Sequence, residues 1–275
     1  MNRIKQAIKK KGYIRILEAH SGISAKVVDD SKFDGIWESS LTDSASRGLP
    51  DTELVTMDMR IDKIREIRNI SNKIMIVDGD TGGQVNHFPY WVRQLEREGV
   101  DAVIIEDKAF PKVNSLAIKG KHNLEKVSRF CEKIKAGKAV AENIMIIARL
   151  ESLIAGHDMD EAMRRATRFI NAGADGIMIH SKIKVGDEVI EFAKIFKKKY
   201  PNIPLVCVPT TYNHITDTEL GDYGFDIIIH ANHLLRASEM TMSFIAESIY
   251  KDDKSKYIDP IITSVKDLLE LTKSI

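Results

Sequence analysis

Gly99-Val-Asp-Ala-Val-Ile-Ile105 runs directly into Glu106-Asp-Lys-Ala-Phe-Pro-Lys-Val-Asn-Ser115, and the change of character between them decides the fold. Ala102-Val-Ile-Ile105 is a short apolar run of the kind that parallel sheets bury on both faces. Polar chemistry begins at the next residue, and Pro111 with its mixed-charge neighbours argues against a helix. A polar loop leaving the carboxyl end of a buried strand is where α/β proteins carry their active sites.

The same theme, a helix end followed by a small residue or Asp and a buried strand, recurs along the chain. It reads Phe33-Asp-Gly-Ile-Trp37, Gly173-Ala-Asp-Gly-Ile-Met-Ile179 and Gly224-Phe-Asp-Ile-Ile-Ile229. Ile14-Arg-Ile-Leu17, Ile74-Met-Ile-Val77, Ile144-Met-Ile-Ile147 and Leu205-Val-Cys-Val208 bring the predicted strands to eight. Met57, Ile61 and Ile64 share a helical face, as do Ala162, Met163, Ala166, Phe169 and Ile170. Asp158-Met-Asp-Glu161 and Thr216-Asp-Thr-Glu219 have the spacing of capping boxes. Alternating β and α units in this number predict an α/β fold, a closed (β/α)8 TIM-type barrel, over a doubly wound open sheet.

At 275 residues the chain is near the roughly 250 of such a barrel, so 1–275 reads as a single domain. The tail is polar from Lys251 to Tyr257. Over 258–275 it then predicts a C-terminal helix around Val265, Leu268, Leu269 and Leu271, which can pack on a neighbouring subunit as easily as on its own barrel. A net charge of +1 argues against nucleic acid or an anionic membrane as a main partner. No apolar run approaches the roughly 18 residues of a membrane span. Lysines near the start argue against export. Cys131 and Cys207 lie far apart and read as buried hydrophobes of a cytoplasmic protein.

On the barrel reading, the polar residues that end successive strands converge on one mouth. They are Glu18 and His20, Glu38 to Ser40, Asp78 and Asp80, Glu106 and Asp107, Arg149 and Glu151, His180 and Ser181, and Asn232. Asp78, Asp80 and Glu106 offer the oxygen ligands of Mg²⁺, typically one direct carboxylate with others acting through water. Taken singly, Asp78 could open a turn and Asp80 cap a helix. Together with Glu106 they favour a metal, because three unpaired carboxylates would repel one another. Arg149 suits a carboxylate or phosphate, with a salt bridge to Glu151 or Glu106 as the alternative. His180 takes the same place on the next strand. Lys112 and Asn114 sit on a loop that could close over an anion. Lys119-Gly-Lys-His122 reads as a turn. The natural ligand of such a mouth is a small, doubly anionic molecule such as a phosphorylated 2-oxo acid, with enolate or phosphoryl-transfer chemistry.

The Glu-Asp-Lys-x-x-Pro-Lys-x-Asn-Ser loop at 106–115 resembles that of the phosphoenolpyruvate phosphomutase family, within the isocitrate lyase and phosphoenolpyruvate mutase superfamily. The similarity continues through Leu17-Glu-Ala-His-Ser-Gly-Ile-Ser-Ala-Lys26, Ala148-Arg-Leu-Glu151, His180-Ser-Lys182 and Ala231-Asn-His-Leu-Leu-Arg-Ala237. It implies a barrel whose last helix is exchanged between subunits, in a homo-oligomer built as a dimer of dimers. It also implies Mg²⁺-dependent interconversion of phosphoenolpyruvate and 3-phosphonopyruvate. Asp78 would contact the metal directly, with Asp80 and Glu106 acting through its water shell. Trp37, Ser39, Ser40 and Leu41 would hold the pyruvyl end, and Arg149, His180 and Asn114 the carboxylate and phosphoryl ends. Lys112 and Asn114 would ride on a gating loop, and Asp51 would relay the phosphoryl group. Read without the resemblance, Asp51 is a turn or a cap.

Two departures stand out. Ser39-Ser-Leu41 replaces the commoner Ser-Gly-Leu, which questions the loop geometry. Asp78-Gly-Asp-Thr-Gly-Gly83 replaces Asp-Ala-Asp-Thr-Gly-Tyr, so a ring over the site is expected to be missing. The lyases of the superfamily carry a catalytic cysteine loop that 106–121 lacks, and a decarboxylase is not expected to carry the Lys112/Asn114 loop. Phosphonopyruvate hydrolase remains the main alternative.

Overall fold

The protein was analysed as a computed structural model that describes residues 2–117 and 122–273. Three of the four residues Lys119 to His122, read as a turn, lie outside the described residues. The strands are β1 Ile14–Glu18, β2 Gly35–Glu38, β3 Ile74–Asp78, β4 Ala102–Glu106, β5 Met145–Leu150, β6 Gly176–Ile179, β7 Leu205–Cys207 and β8 Ile227–His230. The helices begin with α1 Arg3–Lys11, α2 Gly22–Asp29, α3 Ser40–Ser46, α4 Met57–Arg68, α5 Phe88–Arg97 and α6 Val127–Lys138. They continue with α7 Met159–Asn171, α8 Asp187–Lys199, α9 Asp217–Asp222, α10 His233–Asp252 and α11 Val265–Leu271.

The eight strands pair in parallel in sequence order and close, β8 onto β1, into the expected (β/α)8 barrel. Side chains alternate along a strand, so residues two apart share a face. Ile74 and Ile76, Ala102 and Ile104, and Met145 and Ile147 all fill the barrel interior. Two residues further on, the same phase carries Asp78, Glu106 and Arg149 to the carboxyl-terminal mouth. Register then sets neighbours side by side, with Glu106 opposite Arg149 and Arg149 opposite Met178. The interleaved residues Met75, Val77, Val103, Ile105 and Ile146 are equally buried, on the opposite face of the sheet.

The Thr216 box closes reciprocally with Glu219. Asp158 caps α7 through the Glu161 N–H alone, because the Glu161 carboxylate is taken by Arg164 and Arg165. The chain divides into two compact units, Met1–Asn232 with the barrel and His233–Ile275 with α10 and α11. Helix α10 carries no buried residue and was not foreseen from the sequence, whereas α11 matches the tail periodicity. No described helix is long and apolar enough to cross a membrane.

Candidate active site

The mouth forms a small cavity of about 60 Å³, bordered by Trp37, Ser39, Ser40, Leu41, Asp51, Asp78, Glu106, Lys112, Asn114, Arg149 and His180. Every expected site residue except Asp80 therefore meets in one place. Asp80 lies just behind, bonded to Lys112, which does line the cavity. Lys108, Ser115 and Asn232 are among the other residues that line it.

Three segments build the metal-type cluster. Asp78 Oδ2 accepts a hydrogen bond from Ser40 Oγ at 3.0 Å, and its Oδ1 accepts the Asp80 N–H at 3.1 Å. Asp80 caps no helix, since α5 begins only at Phe88. It sits instead in the left-handed region at φ 52°. Burial raises the pKa of the Asp80 carboxyl, but Arg60 and Lys112 outweigh it and hold the group below its usual range. Burial pushes Glu106 up to about 7 against the pull of Arg149, Lys112 and Lys108. Its Oε1 is buried without a hydrogen-bond partner among the described residues. Among the same residues, no three carboxylate, His or Cys side chains converge closely enough to ligate one ion together. That donor set fits a hard cation taking one direct carboxylate and reaching the others through water.

The loop after β4 folds back over the mouth. Lys108 pins its base, donating to the Val113 carbonyl at 2.8 Å and to Ser115 Oγ at 2.5 Å. Ser115 in turn donates to Glu151 at 2.7 Å. Lys112 reaches the interior, close to Asp80 Oδ1, 2.8 Å from Asp51 Oδ1 and 3.1 Å from Ser40 Oγ. Its surrounding carboxylates push its pKa up despite burial. Asn114 accepts the Leu116 N–H through Oδ1, which turns its amide N–H toward Asp51 Oδ2 at 2.7 Å. Asp51 is thus the dock of the loop, and it caps no helix.

Arg149 makes the salt bridges given as its alternative reading and also borders the cavity. Its Nε bonds Glu151 at 2.5 Å, its Nη2 lies 3.3 Å from Glu106, and an edge still faces the cavity. His180 Nδ1 lies 2.9 Å from Glu151 and 3.0 Å from Arg149 Nη2. Burial and the adjacent guanidinium lower its pKa, so the ring is neutral near pH 7. Asp107 points away from the mouth, accepting from Arg165 at 3.0 Å and from the Glu151 N–H at 2.8 Å. Glu18 pairs with His20 at 2.5 Å, and neither borders the cavity.

Both departures are accommodated. Ser40 begins α3 with an ordinary backbone, and Ser39 caps that helix through the Thr42 N–H. The first N–H groups of α3, at Ser40 and Leu41, lack intrahelical acceptors, as at any helix start. A Cβ on Gly83 would lie 2.4 Å from the Trp91 ring. An indole from α5 therefore occupies the space an aromatic residue at 83 would claim. A Cβ on Gly79 would meet Val103 at 2.8 Å and Ile105 at 2.9 Å.

Sequence reasoning missed Arg60, which sits fully buried behind Asp78 and Asp80. Its place among Ile61, Ile64 and Ile67 on the buried side of α4 was the available signal, since a lone Arg on such a face needs a partner. Glu38, 3.6 Å from Arg60, was seen as a strand end but not as its partner. Burial raises Glu38 to about 8.

The phosphoenolpyruvate phosphomutase family matches residues 4–250. The chain belongs to that family and is an enzyme. A solved phosphoenolpyruvate phosphomutase from Streptomyces platensis subsp. rosaceus is 38% identical, with a TM-score of 0.92, covering 98% of this chain and 93% of that one. Phosphonopyruvate hydrolase from Variovorax sp. (strain Pal2) is 36% identical over 93% of this chain and 88% of its own length. A solved phosphonopyruvate hydrolase complexed with oxalate and Mg²⁺ is 33% identical, with a TM-score of 0.88, covering 98% of this chain and 95% of that one.

Proposed function

We propose, from membership of this family and the geometry of the mouth, that the chain is a phosphoenolpyruvate phosphomutase. The proposed reaction moves a phosphoryl group between the enol oxygen and C3 of one three-carbon acid, interconverting phosphoenolpyruvate and 3-phosphonopyruvate for phosphonate biosynthesis. The observation that carries this reading is the docking of Lys112 and Asn114 on Asp51, which puts two loop donors and a carboxylate around one enclosed point.

In the direction that forms the C–P bond, the bond from phosphorus to the enol oxygen breaks and its electron pair stays on that oxygen. The enolate C2=C3 pair then bonds phosphorus at C3, leaving a ketone at C2. Asp51 takes the phosphoryl group as the oxygen departs and releases it to C3, so no net proton is needed. The Arg149 fork, the neutral His180 ring and the Asn114 amide bind the anionic ends. Trp37 and Ser39 wall the pyruvyl end, and the N–H groups of Ser40 and Leu41 donate to its oxygens. Asp78 would hold Mg²⁺ directly, with Asp80 and Glu106 through water, and the orphaned Glu106 Oε1 supports this assignment. Bound there, a dication supplies charge stabilisation to the enolate and phosphoryl oxygens. The Mg²⁺ named for the hydrolase relative is consistent with that choice.

The second reading is phosphonopyruvate hydrolase, favoured by the 36% identical relative. It uses the same residues and differs in whether water reaches the transferring group. On this reading the 108–117 loop, docked on Asp51, lifts for substrate and closes again for chemistry. The enclosed Lys112–Asp51–Asn114 contact favours the mutase.

The assembly is proposed to be a cytoplasmic homo-oligomer, a dimer of dimers, with residues 258–275 packing on a partner subunit. The exposed Val265, Leu268 and Leu269 of α11 support it. Phosphorus NMR of the protein with phosphonopyruvate and Mg²⁺ tests the function. A phosphoenolpyruvate resonance lost on chelation supports the mutase. Inorganic phosphate with pyruvate would make the chain the hydrolase.

A further inference from the structure

Arg60 is a guanidinium on the buried side of α4, its side chain 2% exposed, where a barrel helix ordinarily presents apolar groups. Burying a charge there is costly unless it is paired and hydrogen-bonded. The pairing it finds is on the strand end that carries the candidate metal carboxylates. Nη2 donates to Asp80 Oδ2 at 2.7 Å, and Nη1 donates to the main-chain carbonyl of Asp78. Nη1 also faces Glu38 Oε2 at 3.6 Å, and neither Glu38 oxygen has a hydrogen-bond partner among the described residues.

The Asp78–Asp80 segment needs such a hold. Asp80 adopts φ 52°, a left-handed conformation uncommon outside glycine. Its N–H is turned in to Asp78 Oδ1, and its carbonyl accepts the Glu106 N–H at 2.8 Å, so one bend sets all three carboxylates relative to one another. Two cations pair the Asp80 carboxylate, Lys112 and Arg60. Lys112 rides on the loop that, on the proposed mechanism, lifts for substrate. Arg60, on a helix, stays.

We propose that Arg60 is a positioning residue of the metal centre: it holds Asp78 and Asp80 in cation-binding geometry while the Lys112 loop is open. The cation site is then assembled before substrate arrives. This rests on the metal reading given above and adds to it a residue that touches neither substrate nor metal. The sign of its effect separates it from bare electrostatics. A positive charge a few ångströms from a dication repels it, so charge alone predicts tighter metal binding when Arg60 is lost. Positioning predicts weaker binding.

The test is Mn²⁺ binding to the substrate-free protein, read by electron paramagnetic resonance. Arg60→Lys keeps the charge and loses the fork. Its Mn²⁺ affinity is expected to fall about 10- to 100-fold, the range for groups that orient metal ligands. In an Asp80→Asn background the same substitution should cost clearly less than in wild type, because one of its two holds is already lost while that on the Asp78 carbonyl remains. Arg60→Gln, uncharged but still able to donate, is expected to weaken binding too, and it decides the matter if Arg60→Lys does not fold. Unchanged or tighter binding in the folded variants overturns the proposal, as does an undiminished Arg60→Lys effect in the Asp80→Asn background. Wild-type protein that binds no Mn²⁺ would remove the metal reading itself, and this inference with it.

Discussion

Asn114 donates its amide N–H to Asp51 at 2.7 Å across 63 residues of sequence, closing the loop after β4 onto the turn that precedes α4. Lys112 reaches the other oxygen of the same carboxylate at 2.8 Å. One carboxylate therefore acts as the latch of the loop, and on the proposed mechanism it is also the group that handles phosphorus. Substrate has to compete for Asp51 with the loop that shuts it in.

Loss of the amide should therefore loosen the closure. Asn114→Ala is expected to slow isomerisation by about tenfold or more, one hydrogen bond to a charged group being worth ~1.5–3 kcal/mol. It should also release inorganic phosphate from phosphonopyruvate, measured by phosphorus NMR. Wild-type rate and products would take Asn114 out of the mechanism.

Strand phase turns Asp78 to the mouth, and on the proposed reading it meets the cation directly. Asp78→Ala should stay folded by circular dichroism, lose Mg²⁺-dependent turnover and lose its thermal shift on adding Mg²⁺. A retained shift would move the metal elsewhere in the mouth.

Glu151 and His180 each make the fold less stable in acid, opposite in sign to the raised carboxyls of Glu38, Glu106 and Asp107. Burial raises Glu151, but Arg149, His180 and Lys108 outweigh it and hold the carboxyl well below the ordinary 4.5. A depressed carboxyl contributes stability that is complete above its unfolded value and lost as pH falls toward its folded one. His180 is lowered beneath 6.5, first by burial and then by Arg149, so the unfolded ring takes up protons more readily and stability drops below pH 6.5. Both effects have the same sign. Below about pH 4.5 the urea midpoint should fall with acid more steeply in wild type than in Glu151→Gln. Equal slopes would show that other groups carry the acid sensitivity. Glu151→Ala, which removes the buried partner shared by Arg149, Lys108 and His180, should cost about 3–5 kcal/mol.

Gly83 and Trp91 should behave as one unit. Gly83→Ala forces a Cβ into the indole at φ 62° and is expected to destabilise the protein by about 1–3 kcal/mol. Trp91→Ala should absorb part of that loss in the double variant, read from denaturant midpoints. Strict additivity of the two substitutions would mean the ring and the backbone are independent.

Much of this protein was determined by local pattern. The recurring apolar runs specified eight strands, because a strand buried on both faces has to be apolar almost throughout. The same phase that fills the barrel with Ile74 and Ile76 obliges Asp78 to face the mouth, and likewise Glu106 and Arg149. The motif at 106–115 carried the resemblance to the family that the chain belongs to. What only the tertiary structure decided lies between distant segments. Arg60 on α4 and Glu38 on β2 meet behind Asp80, and Asp51 pairs with Asn114 rather than capping a helix. Trp91 fills the space above Gly83, away from the mouth cavity. Asp107, one residue past Glu106, turns outward to Arg165 and leaves the site. Strand periodicity acts within a few residues and can be read from them. Charge pairing and close packing act through space, and no spacing in the chain encodes which distant partner a buried charge will find.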